Sequence, residues 1–259
     1  MKKLLLLGII ALGNIGVGSA QSKDLKLGIF DHVAIGASVG LFDGIGFDLA
    51  APVTDYAALR AGISFWPKVS YKTDIDIDDN NPLIAESVDI EAKLKIFDFK
   101  VLADVYPIKG SSFHLTAGAF FGDGKLATAT NTSMFIKDPA KYGKLGLMLG
   151  DYRVTTDKNG YATAEAKVNK VKPYVGLGFG RAVPKKHRLC VSCDFGVQFW
   201  GKPQLGVMTK DDWGNENYHW FKSTDLDEYD DEDVKDVLET AEKITVCPVL
   251  NIRISGRIF

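Results

Sequence analysis

The most regular feature of this chain is the alternation of apolar residues with small or polar ones. Alternation with a period of two predicts β-strands, because successive side chains of a strand point to opposite faces. Eight such segments follow one another along the chain, and several are longer than an ordinary soluble strand. They are 33–41, 45–51, 57–73, 88–106, 113–121, 171–180, 189–199 and 244–258. The pattern predicts an all-β domain of eight antiparallel strands.

The segment 88–106 changes phase near its middle. Its apolar positions fall on even numbers up to Ile96 and on odd numbers from Phe97 onward. An extra residue inserted in one strand, a β-bulge, produces such a change. We therefore interpret 88–106 as one strand that contains a bulge.

The polar face of these strands bears on whether the domain is a soluble sandwich or a membrane barrel. The apolar face of a sandwich meets a second sheet, whereas the apolar face of a membrane barrel meets lipid and its interior is polar. Faces rich in Gly, Ala and Ser suit the crowded interior of a narrow barrel. Seven charged residues share the polar face and predict a network of opposite charges across a small lumen: Asp48, Arg60, Asp104, Lys172, Asp194, Arg253 and Arg257.

The connections between the segments alternate in length. The short turns 52–55, 109–112 and 183–186 alternate with the long connections 78–87, 123–167 and 201–243, and only the tight turn Phe42-Asp43-Gly44 departs from this rule. Short turns on one side and long loops on the other are typical of outer-membrane barrels. Aromatic residues near the strand ends predict interfacial girdles: Tyr56, Trp66, Tyr71, Tyr106, Phe113, Phe199 and Trp200.

These features predict an eight-stranded antiparallel transmembrane β-barrel. A ten-stranded barrel, with 125–130 and 161–168 as extra strands, is the main alternative. The same two segments could instead extend the eight strands beyond the membrane.

The N-terminal residues have the order of a secretory signal. Lys2 and Lys3 precede an apolar run at 4–12, and small residues follow at 18–20. The run is interrupted by glycine and is shorter than the roughly 20 residues of a spanning helix. We predict a signal peptide at 1–20 and a barrel domain at 21–259.

The end of the chain carries a resemblance to a known family. The alternating segment 252–259, which closes on Phe259, looks like the assembly signal of bacterial outer-membrane barrels. The segments 171–180 and 193–203 resemble those of small OmpA/OmpW-like barrels, as do 104–107 with 115–118 and the acidic helix before Cys247. The resemblance implies the outer membrane of a Gram-negative bacterium, with lipid, lipopolysaccharide and the barrel assembly machinery as partners. It implies no defined activity.

Composition and motifs narrow the function classes. The formal charge of -2 leaves no basic excess, so we expect no nucleic-acid partner. The four histidines have no metal-ligand spacing and no nucleophile elbow or phosphate loop occurs, so we predict no enzymatic activity, no metal site and no cofactor. His114 and Asp104 could lie near one turn, where we expect a structural contact. Cys190 and Cys193 are three residues apart in a predicted strand, so their side chains point to opposite faces. A single disulfide bond among the cysteines remains an open alternative.

The segment 211–243 is strongly acidic, with 13 Asp or Glu residues and three Lys. Its end has the apolar spacing of a short loop helix at 234–241. Clustered carboxylates suit hard cations such as Ca²⁺ or Mg²⁺, which could also bridge lipopolysaccharide. The simpler interpretation is a solvated acidic loop.

Two functions remain at this level. The first is an outer-membrane β-barrel protein with a structural role or a narrow, porin-like passive passage for small solutes, since eight strands enclose little more than side chains. The second is a surface recognition or adhesion module that acts through the long external loops.

Overall fold

A computed structural model describes residues 32–67, 69–77, 81–108, 110–149, 152–185, 187–210, 216–221 and 243–258. Sixteen strands lie within these residues and are numbered in chain order. The predicted signal peptide at 1–20, the loop helix at 234–241, most of the acidic segment and Phe259 lie outside them.

Eight strands form a closed antiparallel barrel. They are β1 (Ala34–Leu41), β2 (Gly44–Thr54), β3 (Ala57–Phe65), β6 (Phe97–Val105), β7 (Phe113–Gly122), β12 (Val171–Phe179), β13 (Leu189–Phe199) and β16 (Val246–Arg257). Each of these strands pairs with the next barrel strand along the chain. The barrel closes where β1 pairs with β16, in a register that runs from Ala34 opposite Arg257 to Leu41 opposite Leu250. The prediction of an eight-stranded antiparallel barrel is confirmed.

A second, six-stranded sheet continues the barrel wall at one end; we call it the outer sheet. Its strands are β4 (Val69–Asp76), β5 (Ser87–Leu94), β8 (Lys125–Asn131), β11 (Thr163–Lys167), β14 (Gln204–Lys210) and β15 (Glu216–Phe221). Their order from β4 to β15 repeats the order from β3 to β16 in the barrel. Each outer strand therefore occupies the same place in the outer sheet as one barrel strand does in the wall.

The outer sheet corrects several details of the sequence interpretation. Segments 125–130 and 161–168 do not enter the barrel, so the ten-stranded alternative is wrong. They extend the wall outside the barrel, as strands β8 and β11 of the outer sheet. Segment 88–106 is two strands, β5 and β6, separated by Lys95 and Ile96. Segment 57–73 likewise divides into β3 and β4. The change of phase marks the end of the barrel wall.

The strands β1 and β2 have no counterpart in the outer sheet, because the turn at Phe42 and Asp43 joins them directly. Phe42 and Gly44 adopt positive φ angles of 73° and 70° in this turn. The indole of Trp66, just after β3, donates a hydrogen bond of 2.8 Å to the carbonyl of Phe42. We call this end of the barrel the sheet end, and the end at Ala34 and Arg257 the terminal end.

The long connection between β8 and β11 folds over the outer sheet. It contains a 3₁₀ turn at Pro139–Lys141 and a hairpin of β9 (Gly146–Leu149) with β10 (Tyr152–Thr155). Phe135 and Ile136 are buried against Val88 of β5. The predicted loop at 123–167 thus consists of two strands of the outer sheet, β8 and β11, and a connection between them that forms a folded cap on the sheet.

No helix among the described residues has the length and apolar character needed to cross a membrane.

Candidate functional site: the charged lumen

The barrel wall has one apolar and one polar face, and the polar face points inward. Phe195 of β13 is 54% exposed, whereas its neighbour Asp194 is 3% exposed. Every barrel strand exposes large apolar side chains to the outside, and we call this surface the apolar belt. Its members include one from each strand: Val39, Phe47, Leu59, Phe99, Leu115, Val175, Phe195 and Ile252.

Arg60 of β3 lies inside the lumen and joins a carboxylate of the neighbouring strand β6 to one of β13 on the opposite side of the barrel. Its Nη2 donates to Asp104 Oδ1 at 2.7 Å and its Nη1 donates to Asp194 Oδ2 at 3.0 Å. The hydroxyl of Thr116 donates to the same Asp104 oxygen at 2.8 Å. Because an unpaired buried charge is strongly destabilising, this cluster is stable only while its members stay together.

His114 extends the central cluster towards the terminal end. Its Nε2 lies 2.6 Å from Asp194 Oδ1, and its Nδ1 lies 3.1 Å from the carbonyl oxygen of Gly180 and 3.3 Å from that of Ser112. Carbonyl oxygens only accept hydrogen bonds, and a carboxylate does the same. Both ring nitrogens therefore act as donors, which gives the side chain the positive charge of an imidazolium.

A second pair, Arg253 with Asp48, lies beside the central cluster. The Nε and Nη2 atoms of Arg253 donate to both carboxylate oxygens of Asp48, at 2.8 Å and 2.6 Å. Such two-pronged pairs combine strength with a fixed orientation. The remaining Nη1 donates to the carbonyl of Ala182 at 3.1 Å.

The sheet end of the lumen contains two further cation–anion pairs. Lys172 Nζ donates to both oxygens of Asp98, at 2.7 Å and 2.6 Å. Lys100 Nζ lies 3.9 Å from Asp43 Oδ2, and that oxygen accepts a 2.8 Å hydrogen bond from Asn251. Direct contacts between charged groups thus cross the lumen at several levels.

The buried charges of the lumen balance. Among the residues that the structure describes, five aspartates face four Lys or Arg residues and His114: Asp43, Asp48, Asp98, Asp104 and Asp194 against Arg60, Lys100, Lys172 and Arg253. The sum is zero when the histidine is charged, as its hydrogen bonds require. The interior is consistent with a low dielectric in which charges must be matched.

The terminal end of the lumen is filled by residues 181–185 of the β12–β13 turn, which we call the plug. Ala182 and Val183 are both buried and cluster with Ala34, Ala50, Ala58 and Tyr106. The amide of Ala182 donates to the hydroxyl of Tyr106 at 2.8 Å. At the rim, Lys185 Nζ is 2.8 Å from Asp55 Oδ1. The sequence predicted only a short turn here.

Six of the seven predicted lumen residues are buried inside the barrel: Asp48, Arg60, Asp104, Lys172, Asp194 and Arg253. The seventh, Arg257, is half-buried at the terminal rim and donates to the plug carbonyl of Pro184 at 3.3 Å. The prediction that Tyr106 belongs to an aromatic girdle is wrong, because its side chain points into the lumen and is only 3% exposed.

The predicted lumen network lacks four buried residues: Asp43, Asp98, Lys100 and Asn251. His114, expected in a structural contact with Asp104, is buried and makes its side-chain hydrogen bond to Asp194. Asp98 and Lys100 share the even-numbered face with Asp104 once the change of phase is taken into account, so alternation could have found them. Asp43 lies in a turn, where alternation carries no information.

The three cysteines are free, with Cys247 buried, Cys190 half-buried and Cys193 exposed, so no disulfide forms among them.

The outer sheet carries a smaller charged group beside two aromatic rings. Lys125 Nζ is 2.9 Å from Glu165 Oε1, and Lys167 Nζ lies 3.7 Å above the ring of Trp220. Tyr218 stacks beside Trp220. Burial acts to raise the pKa of Glu165, but the hydrogen bond and charge of Lys125 outweigh it and lower the pKa below its usual value.

Within the described ranges, no group of three or more His, Cys, Asp or Glu residues could hold a metal ion.

Comparison with known proteins gives a likeness of fold. No protein-family model matches the chain, and no curated protein matches it by sequence. Among solved structures, it is similar to the crystal structure of Acinetobacter baumannii CarO2, with 17% identity, a TM-score of 0.46, and coverage of 89% of this chain and 99% of that one. The crystal structure of Acinetobacter baumannii CarO is similar at 17% identity and a TM-score of 0.45, with coverage of 86% of this chain and 96% of that one.

Proposed function

We propose that this protein is an integral β-barrel of the outer membrane with a closed lumen and a structural role. The observation that carries the proposal is the reversed polarity of the wall, with ion pairs inside and the apolar belt outside. Soluble proteins rarely expose continuous apolar patches larger than a few hundred Å². A belt that runs round all eight strands suits a hydrocarbon solvent and not water.

The backbone supports the same conclusion. In a bilayer every backbone N–H and C=O group needs a partner within the protein, and a closed barrel meets this requirement because it has no edge strand. The barrel strands are 8 to 12 residues long, as β1 and β16 illustrate, close to the roughly 9–11 residues of a tilted membrane strand.

The orientation follows from the connections. We place the terminal end, with its shorter turns, on the periplasmic side and the outer sheet outside the cell. The signal peptide at 1–20 and Phe259 as the assembly signal belong to this proposal, as do the barrel assembly machinery and lipopolysaccharide as partners. A divalent cation at the acidic segment remains a prediction.

The lumen favours a structural role over passive passage. A solute that crossed it would have to separate Arg60 from Asp104 and Asp194 and displace the plug at Ala182. Separating buried pairs costs several kcal/mol each. We also propose no enzymatic activity, because the hydrogen bonds of His114 are used by Asp194 and two backbone carbonyls.

Fractionation, gel mobility and conductance test this proposal. We expect recovery in the outer-membrane fraction, a mobility shift between boiled and unboiled samples, and no steady conductance in planar bilayers. Recovery as a soluble periplasmic protein without the shift would overturn membrane residence. A steady conductance in purified, shifted protein would retain membrane residence and overturn the closed lumen.

A second candidate, surface recognition, is favoured by the folded outer sheet. The cap that buries Phe135 and Ile136 and the stacked Tyr218 and Trp220 form a shaped surface, in contrast to unstructured loops. The natural turn at Phe42 and Asp43 shows how the wall closes without an outer strand. We expect a variant in which turns of this kind replace the outer connections to keep the mobility shift. If cells that express this variant attach to a partner surface as well as cells that express the native protein, recognition by the outer sheet is excluded.

A further inference from the structure

One strand of the outer sheet has a free edge. In the barrel, β1 and β2 lie between β16 and β3, but no described strand occupies the corresponding place in the outer sheet. The outer sheet is therefore open, and β4 lies at one end of it. Within the described ranges, β4 pairs with β5 alone.

The pairing of β4 with β5 shows which backbone groups face the free edge. Just beyond β4, the N–H of Ile77 donates to the carbonyl of Glu86, its direct partner in the continued register of the two strands. Hydrogen-bonded pairs alternate with non-hydrogen-bonded pairs along an antiparallel ladder. The N–H and C=O groups of the odd-numbered residues of β4 therefore point to β5. Those of the even-numbered residues point to the free edge: Ser70, Lys72, Asp74 and Asp76.

The free edge lacks most of the features that prevent a sheet from adding another strand. A row of unpaired N–H and C=O groups can pair with a further strand, and natural sheets protect it with proline, a β-bulge or charged side chains. The strand β4 contains no proline, and its register with β5 has no shift. A local hydrogen bond from the Thr73 hydroxyl to the carbonyl of Asp74, at 3.3 Å, leaves the rest of the edge unpaired among the described residues. Only the charges of Lys72, Asp74 and Asp76 could keep another strand away.

These charges do not repel a second copy of β4. Even-numbered residues must face even-numbered residues in an added antiparallel β4, since only these present their N–H and C=O groups to the edge. The ladder with β5 extends from Val69 to Ile77, so the register that uses its whole length is centred on Thr73. This register places Lys72 of each copy opposite Asp74 of the other. Cross-strand pairs of opposite charge stabilise adjacent strands.

A second copy would also compensate an unfavourable contact within each chain. Asp74 lies directly opposite Asp89 of β5. Like charges that face each other in this way destabilise a pair of strands. In the register centred on Thr73, Lys72 of the second copy lies on the other side of Asp74, where its ammonium group reduces the repulsion. The charge pattern of β4 therefore favours a second copy over an unrelated strand.

We propose that β4 pairs in the antiparallel direction with β4 of a second copy, so that the protein binds itself through the free edge of the outer sheet. In each copy β4 follows β3 and runs away from its own barrel. Antiparallel pairing therefore places the two copies in facing membranes. The inference rests on the proposed membrane location and makes the second candidate function specific: the surface that is recognised belongs to a neighbouring cell with the same protein.

Sedimentation of the full chain in detergent measures the dissociation constant of the dimer. Lys72→Asp leaves only negative side chains at the two paired positions, and Asp74→Lys leaves only positive ones. We expect each variant alone to have a dissociation constant at least about tenfold higher than the native chain. A mixture of the two variants restores pairs of opposite charge and should associate like the native chain. The control Lys144→Asp, which makes the same charge change at an exposed residue of the cap, should also associate like the native chain.

A disulfide bond tests the register. In a chain with Cys190, Cys193 and Cys247 changed to alanine, Thr73→Cys should form a cross-linked dimer under mild oxidation, because this position faces its own counterpart in a non-hydrogen-bonded pair. The Cα atoms of such a pair lie about 4.5 Å apart, within the range of a disulfide bond. Tyr71→Cys, at an exposed position on the same face, is the control. Its counterpart lies four residues along the strand, roughly 13 Å away, and should not cross-link.

Clustering of lipid vesicles that contain the native chain tests the arrangement in facing membranes, and we expect clustering that Lys72→Asp abolishes. A monomeric native chain, a mixture of the two charge variants that associates no better than either alone, or equal cross-linking of Thr73→Cys and Tyr71→Cys would overturn the inference. Dimers in detergent without clustering of vesicles would overturn the arrangement in facing membranes. The heat-dependent mobility shift is measured on every variant, so that failure of the barrel itself is distinguished from failure of the β4 contact.

Discussion

Arg253 on β16 reaches Asp48 on β2 across the intervening strand β1, and it does so over the backbone of Gly36. A Cβ atom at Gly36 would contact the Nε, Nη2 and Cζ atoms of the guanidinium. The ion pair between these two strands therefore depends on the absence of a side chain at a third position.

We predict that Gly36→Ala destabilises the barrel although alanine suits a strand. The added methyl group displaces the guanidinium from Asp48, which leaves two buried charges poorly paired. The temperature at which the unboiled gel form converts to the boiled form should fall. Ser38→Ala, on the same face of β1, is the control, because the Ser38 hydroxyl has no partner among the described residues. Equal conversion temperatures for native protein and Gly36→Ala would contradict the prediction.

This contact also shows what the sequence can and cannot predict. Alternation located the eight wall strands and placed Asp48 and Arg253 on one face, since side-chain direction in a strand is local. The pairing of each cation with a carboxylate depends on the order and register of the strands. Asp48 and Arg253, for example, are more than 200 residues apart in the chain. A pattern with a period of two contains no such information.

The plug and the arrangement of the outer sheet cannot be predicted from the sequence, for a related reason. Residues 181–185 follow β12 as an ordinary turn in sequence, and only the closed barrel brings Tyr106 and Arg253 within reach of Ala182. The strands β8 and β11 were recognised as candidates at 125–130 and 161–168, but their place outside the barrel follows from junction geometry. The change of phase at Lys95 and Ile96 is the one local signal of this junction, and its interpretation as a bulge within one strand is wrong, because β5 and β6 belong to different sheets.

A double-mutant cycle on the lumen pair measures how far its members depend on each other. Asp48→Asn and Arg253→Met should each lower the free energy of unfolding by about 3–5 kcal/mol, because each leaves one buried charge unpaired. The double variant should lose less than the sum of the two single losses. Urea unfolding in lipid vesicles measures all four proteins. Additive losses would show that the two side chains do not interact.

The plug should be a fixed part of the terminal end. In a chain with Cys190, Cys193 and Cys247 changed to alanine, a Val183→Cys variant should react slowly with a water-soluble thiol reagent, because Val183 is 2% exposed. Adding Tyr106→Phe removes the acceptor of the Ala182 amide and should increase the rate. An unaltered rate after Tyr106→Phe, or fast reaction without it, would show that the plug is not held by this contact.

Acid should loosen the outer sheet at Glu165 while the barrel stays closed. The pKa of Glu165 lies below its ordinary value of 4.5, so folding favours the ionised form. Its contribution to stability is fully present above the unfolded pKa and is lost as the pH falls through the folded pKa, that is, below about pH 4.5. The neighbouring Trp220, under Lys167, reports this change through its fluorescence in a chain whose other tryptophans are phenylalanine. We expect an acid transition that Glu165→Gln abolishes. The control Glu91→Gln, which removes the partner of the exposed Lys93 on β5, should leave it in place. A transition that survives Glu165→Gln would assign it to another group.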